Sequence, residues 1–150
     1  MNIDDKDDLY QLASRFRQAI EVIPQSEFRK VGSGISSFAL RPFPAGCCGD
    51  TSELLAEFFR DNGFTGAIYA SGTRGGDGGE IFSHAWLVVG DWVVDITADQ
   101  FANRGYDLPK VYVGPSTAWY QSFTVAASSN QPLSHDLHGV YQLVVQHLTD

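Results

Sequence analysis

The sequence predicts an α+β fold, with an antiparallel sheet packed against helices that come early in the chain. Three observations predict it. Two stretches before Gly63 place apolar residues at helical spacing; two apolar runs, Ser83 to Val89 and Trp92 to Thr97, flank the tight-turn dipeptide Gly90-Asp91; and no internal repeat or linker divides the 150 residues.

Taken in order, Leu9, Leu12, Ala13, Phe16, Ala19, Ile20 and Ile23 mark the first helix, which should end near Pro24 because proline cannot continue it. Asp4, Asp5, Asp7 and Asp8 stand at its start, where solvent and the helix dipole both favour carboxylates. Val31 to Gly46 holds Gly32, Gly34, Pro42, Pro44 and several serines and reads as irregular. Leu54, Leu55, Phe58 and Phe59 give a second helix between Gly49 and Asn62, stopped by Asn62-Gly63. Thr65 to Ser71 reads as a short strand, and Gly72, Gly75, Gly76, Gly78 and Gly79 as one mobile loop. That loop lacks the Lys-Ser/Thr ending of a phosphate-binding loop. Val111 to Val113 suggests a further strand. Leu137, Val140, Tyr141, Val144, Val145 and Leu148 fall at the spacing of a last helix, with Ser134 as its cap, although the valines leave a strand open.

At this length the expectation is one domain over residues 1–150, and 43% hydrophobic with 19% charged residues is ordinary for a chain that folds. A net charge of −8 leaves no cationic surplus to exchange for counterions on a phosphate backbone, so nucleic acid is excluded as a partner. No basic-then-apolar start resembles a signal peptide, and no apolar run approaches the roughly 20 residues of a membrane span. The expectation is a cytoplasmic protein without a membrane partner, or one exported by a specialised system that needs no cleavable leader. The adjacent Cys47 and Cys48 cannot staple distant segments, so they form no disulfide framework.

Chemistry concentrates in three residues. A cysteine becomes a nucleophile when its thiolate is stabilised, and the first turn of a helix does this through the dipole and free N–H groups. Cys48 has that position, between Gly46 and Gly49, which leave room for a sharp turn and a close substrate. Against this stands the commoner fate of a cysteine, a small buried apolar residue. The partner would be His84. If Val89 and Trp92 flank the two-residue turn, paired positions sum to 181, so His84 lies opposite Thr97 and diagonal to Asp95 on the same face. That supplies a base and its orienter, and a carboxylate in the apolar run Trp92 to Ile96 is itself a sign of function. A slip of one residue would separate them. Pattern alone does not bring Cys48 to this face.

Gly46-Cys47-Cys48-Gly49, Ser52, Leu54-Leu55 and Asn62-Gly63-Phe64 resemble the nucleophile helix of the transglutaminase-like, papain-related superfamily of cysteine enzymes. His84-Ala85-Trp86, Trp92 and Asp95-Ile96-Thr97 resemble its His-Ala-Trp, Trp and Asp-Pro-Thr pieces, with Ile96 in place of the proline. The likeness covers Gly46 to about Thr97; neither end of the chain matches a particular subfamily. It implies a papain-like fold with the nucleophile helix against the sheet, and a catalytic triad of Cys48, His84 and Asp95, with Cys47 at a variable position. It implies attack on an amide of a protein or peptide substrate through a thioester intermediate, without cofactor or metal. Water would then give a cysteine protease or glutamine deamidase, and an amine a transglutaminase. The oxyanion would rest on the Cys48 backbone N–H with a second donor from Phe38 to Ala45. Gly49, Trp86 and Thr97 would support the site, Trp86 as a wall on the face of His84, whereas Trp92 reads as core.

Rival readings are weaker on the same residues. Zinc is disfavoured because adjacent cysteines chelate one ion poorly, and His135, His138 and His147 do not repair the set. An arylamine N-acetyltransferase uses the same triad, but no segment suits its acetyl-CoA donor. The rival from another class is a non-catalytic binding or immunity module on the same fold, against which the presence of all three residues speaks.

Overall fold

Leu9, Ala13, Phe16 and Ile20 recur every three or four residues and line one buried stripe of helix α1 (Ile3–Glu21). The computed structural model describes residues 3–32 and 34–149, with backbone alone for 3, 4, 126 and 127. The side chain of Asp4, one of the acidic group at the helix start, therefore lies outside the described residues. Pro24 ends the run, and two single turns follow, α2 (Gln25–Phe28) and α3 (Ser37–Leu40). The second of these is a turn of helix inside the segment expected to be irregular. Helix α4 (Cys48–Asp61) buries Leu54, Leu55, Phe58 and Phe59 and stops at Asn62-Gly63, where Gly63 takes the left-handed φ of +92°.

Five antiparallel strands form one sheet: β1 (Ile68–Gly75), β2 (Ile81–Val89), β3 (Trp92–Asp95), β4 (Tyr112–Gly114) and β5 (Thr124–Ser129), in the spatial order β4-β3-β2-β1-β5. The protein is thus α+β with an antiparallel sheet, as the sequence predicts. Val89 pairs with Trp92 and Leu87 with Val94, the register a two-residue turn implies. Gly90 supplies its positive φ of +60°. The sheet separates two apolar clusters. Leu87, Val89 and Val94 join α1, α4 and the last helix, α6 (His138–Gln146), in the larger core. Ala70, Trp86 and Val93 join Phe101, Tyr120 and Phe123 in a smaller aromatic one. No helix among the described residues is long and apolar enough to cross a membrane.

Two expectations need correction, and one strand, β5, escapes the sequence reading. Gly72 and Gly75 are not loop residues but belong to β1, paired with His84 and Ile81; the loop proper is confined to the turn between β1 and β2. The physical reason is Phe123: a β-carbon on Gly72 would lie 2.7 Å from its Cβ, and one on Gly75 only 2.2 Å from its ring. Ser134 makes no side-chain cap on the short 3₁₀ turn His135–Leu137 that precedes α6; its hydroxyl bonds Glu53 instead, at 2.5 Å. Strand β5 carries no alternating pattern in Thr-Val-Ala-Ala-Ser-Ser, because it is a sheet edge, and a bulge shifts its register opposite Ser71 and Gly72.

The crowding at Phe123 makes a prediction. Gly72→Ala should cost about 1–3 kcal/mol by overpacking. Gly66→Ala, where nothing lies within 4 Å of a new methyl and φ is ordinary, should be neutral or stabilise slightly. Urea unfolding of the two variants checks the contrast.

Candidate active site

The hairpin β2–β3 brings His84 and Asp95 together as its register requires. His84 Nε2 lies 2.7 Å from Asp95 Oδ2, with both side chains essentially without exposure to solvent. The cross-strand partners of His84 and Trp86 are Gly72 and Ala70, so the neighbouring strand leaves space for two large rings on this face. Trp86, Phe101, Trp119 and Phe123 fill it around the imidazole, with ring centroids 5.1–6.1 Å from that of His84.

Asp95 is fully engaged. Oδ1 accepts the backbone N–H of Thr97 at 2.9 Å and, more distantly, its hydroxyl at 3.4 Å; Oδ2 accepts the hydroxyl of Tyr120 at 2.9 Å beside the imidazole. Burial alone would raise the Asp95 pKa, but the charge of His84 and these hydrogen bonds outweigh it and hold the carboxyl below its ordinary value. Burial likewise works to neutralise His84. The Asp95 carboxylate, helped by the Cys48 thiol, overcomes this and lifts the imidazole to about 9, so at neutral pH the ring is an imidazolium.

Cys48 opens α4 and is half-buried, and its thiol is near enough to the His84 ring to help raise the imidazole's pKa. With Nε2 taken by Asp95, the nitrogen left for a further partner is Nδ1, which is buried and has no hydrogen-bond partner. Cys47 caps α4 without a side-chain capping bond, so its own side chain leaves the N–H groups of the first turn open. The two cysteines are free and sharply different. Cys47 is fully buried in the main core, its Sγ 3.5 Å from the Ala45 carbonyl, and burial pushes its thiol up to about 11.

No family model, curated protein or solved structure matches the chain. The chemistry of the site therefore rests on its own geometry.

Two further residues tie the loops of the site together. Gln100 accepts from the N–H of Gly46 at 3.2 Å and donates to the Thr97 carbonyl at 3.0 Å, linking the approach to Cys48 with the turn that holds Asp95. Arg17 reaches the same turn from α1, donating to the Ile96 carbonyl at 2.7 Å and to both oxygens of Asp99 at 2.7 and 2.8 Å. Of the supporting residues the sequence suggests, Thr97 anchors Asp95 and Trp86 walls His84. Gly49 lies beside the Tyr69 hydroxyl, which would be 3.3 Å from an added β-carbon. Trp92 faces away, half-buried against the main core with Lys6 over its ring. Sequence reasoning missed Tyr120, Phe101, Phe123, Gln100 and Arg17; no periodicity or motif marks them, since each acts through a contact distant in sequence.

Proposed function

We propose that the chain is a cysteine-dependent acyl-transfer enzyme acting on amide bonds, a transglutaminase-like, papain-related protein with Cys48, His84 and Asp95 as its triad. One observation carries the reading: a buried imidazole whose Nε2 is held by a carboxylate and whose Nδ1 is left to a thiol at a helix start. A structural histidine has both ring nitrogens satisfied, and a structural thiol has no need of an imidazolium beside it. The family resemblance of Gly46–Thr97 points the same way.

In this mechanism the Cys48 thiolate, paired with the His84 imidazolium, attacks the carbonyl carbon of the substrate amide. The oxyanion is received by N–H groups of the first turn of α4, where preorganised donors are each worth about 3 kcal/mol. Nδ1 of His84 then gives its proton to the departing amine, and a thioester remains on Cys48. Water or a second amine, deprotonated by His84, attacks the thioester; the C–S bond breaks, the acid or new amide leaves, and the Cys48 thiolate with its His84 imidazolium is restored. Asp95 keeps the ring in the tautomer and orientation both steps need.

The test is incubation of wild type and Cys48→Ala with a dansyl-amine and glutamine-containing proteins, read by mass spectrometry. Label incorporation, a gain of about one mass unit, or chain cleavage identifies transfer, deamidation or proteolysis, and each should vanish in Cys48→Ala. A second measurement needs no substrate. Iodoacetamide should alkylate Cys48 and spare buried Cys47, and His84→Ala should slow Cys48 alkylation about tenfold or more near pH 6, where an imidazolium partner matters most. Equal alkylation of Cys48 in wild type and a folded His84→Ala would overturn the triad.

A further inference from the structure

Asp95 Oδ2 is shared. It accepts the phenolic hydroxyl of Tyr120 at 2.9 Å and faces His84 Nε2 at 2.7 Å, all three groups being buried. Tyr120 sits on the single helical turn α5 (Ala118–Gln121), and its neighbour Trp119 packs edge-on against the His84 ring, with centroids 5.6 Å apart. One short segment thus delivers a hydrogen-bond donor to the carboxylate and an apolar cover to the imidazole.

We propose that Tyr120 is a positioning residue that competes with His84 for Asp95 Oδ2, limiting how strongly the carboxylate retains the imidazolium's proton. A carboxylate oxygen already accepting a phenol O–H has part of its charge compensated, and so attracts a second donor less. The phenol stays protonated, because burial and the Asp95 charge both push its pKa up. The titratable groups that face this cluster are His84, Asp95, Cys48 and Tyr120, together with Tyr112, whose ring stacks on that of Tyr120 with centroids 5.5 Å apart. The remaining walls are the uncharged rings of Trp86, Phe101, Trp119 and Phe123. Without Tyr120 the carboxylate would hold His84 protonated to higher pH and make it a poorer acid and a slower base. The purpose of this restraint rests on the cysteine-enzyme reading; the electrostatics do not.

The experiment is a titration of the His84 ring by NMR in isotopically labelled protein, its signals assigned by their loss in His84→Gln. In Tyr120→Phe the His84 midpoint should rise, corresponding to a threefold to tenfold gain in proton affinity. Fluorotyrosine introduced at position 120 alone, a stronger donor of the same shape, should shift it downwards. A purely structural tyrosine would lower the melting temperature when changed to phenylalanine and leave the midpoint where it was. An unmoved midpoint in both variants, or shifts of the same sign, overturns the proposal. Should Tyr120→Phe fail to fold, the fluorotyrosine arm alone decides it: a downward shift supports the competition and no shift refutes it. Because the readout is a proton equilibrium, it is independent of whether Cys48→Ala abolishes acyl transfer, so the two ideas fail separately.

Discussion

Asp95→Asn is expected to flatten the alkaline limb of the protein's stability and, under the proposed function, to remove nearly all acyl-transfer activity. In the folded protein His84 is raised to about 9, against an ordinary 6.5. A group whose folded pKa is raised binds its proton more tightly when folded, so its contribution is complete below about pH 6.5 and is lost as pH rises through 9. At about 1.4 kcal/mol per unit, the contribution lost is on the order of 3 kcal/mol. Asp95 works in the opposite sense: held below its ordinary value, it stabilises above about pH 4, and that contribution disappears as pH falls through the folded pKa. The pair is therefore most stabilising from about pH 4 to 6.5. Asparagine has no charge to offer the imidazolium, so His84 reverts to the neutral form favoured by its burial. The difference in unfolding free energy between wild type and Asp95→Asn should be greatest near pH 6 and shrink by about 3 kcal/mol by pH 10. Urea titrations at several pH values measure it. A difference that stayed constant from pH 6 to 10 would mean that the two side chains do not share a proton equilibrium. For activity, loss of an orienting carboxylate in a catalytic triad typically lowers kcat about 10⁴-fold, chiefly through the wrong tautomer.

How far the site could be read from sequence depended on the range of the interactions that build it. The hairpin was legible because its information is local: Gly90-Asp91 sets a two-residue turn, the turn sets the register, and the register sets the face. Asp95 was conspicuous because a carboxylate within Trp-Val-Val-Asp-Ile needs a partner. Helix α4 was legible from its stripe of leucines and phenylalanines and its Asn-Gly stop. Tyr120 was not, because its 25-residue distance from Asp95 is bridged by the 3₁₀ helix Ala98–Arg104, a short strand and a single helical turn with no period to follow. The glycines of β1 misled for a related reason. Glycine clusters usually mean a loop, but Gly72 is a strand residue whose missing side chain makes room for Phe123, and only the folded packing shows that need. Which of two adjacent cysteines faces the histidine was a question of helix phase. Cys47 goes into the core and Cys48 stays at the surface of the first turn.

Arg17→Met should be the most destabilising substitution on the helical side, and its effect should reach the site. The Arg17 side chain is buried to 4% exposure, so its charge has been taken out of water and is compensated by Asp99 through two hydrogen bonds. It also satisfies the carbonyls of Ile96 and, at 3.3 Å, Lys110, and its guanidinium stacks 4.8 Å above the Phe43 ring. Methionine fills much of the volume but leaves a half-buried carboxylate and two carbonyls without their donor. Removing one member of a buried ion pair typically costs 3–5 kcal/mol, about 10 °C or more in melting temperature for a chain of this size. Because most of that cost is the stranded charge of Asp99, the double variant Arg17→Met/Asp99→Leu should recover a substantial part of it, though not the part due to the carbonyls. The consequence for chemistry follows from where Arg17 is anchored. Ile96 lies between Asp95 and Thr97, and Gln100 fastens the same turn to Gly46, so a loosened Ile96 carbonyl releases both the carboxylate and the approach to Cys48. Well below its own melting transition, Arg17→Met should still alkylate Cys48 more slowly than wild type, and the double variant should regain stability without regaining that rate. If stability and thiol reactivity instead return together, Arg17 only holds the fold and the turn needs no anchor from α1.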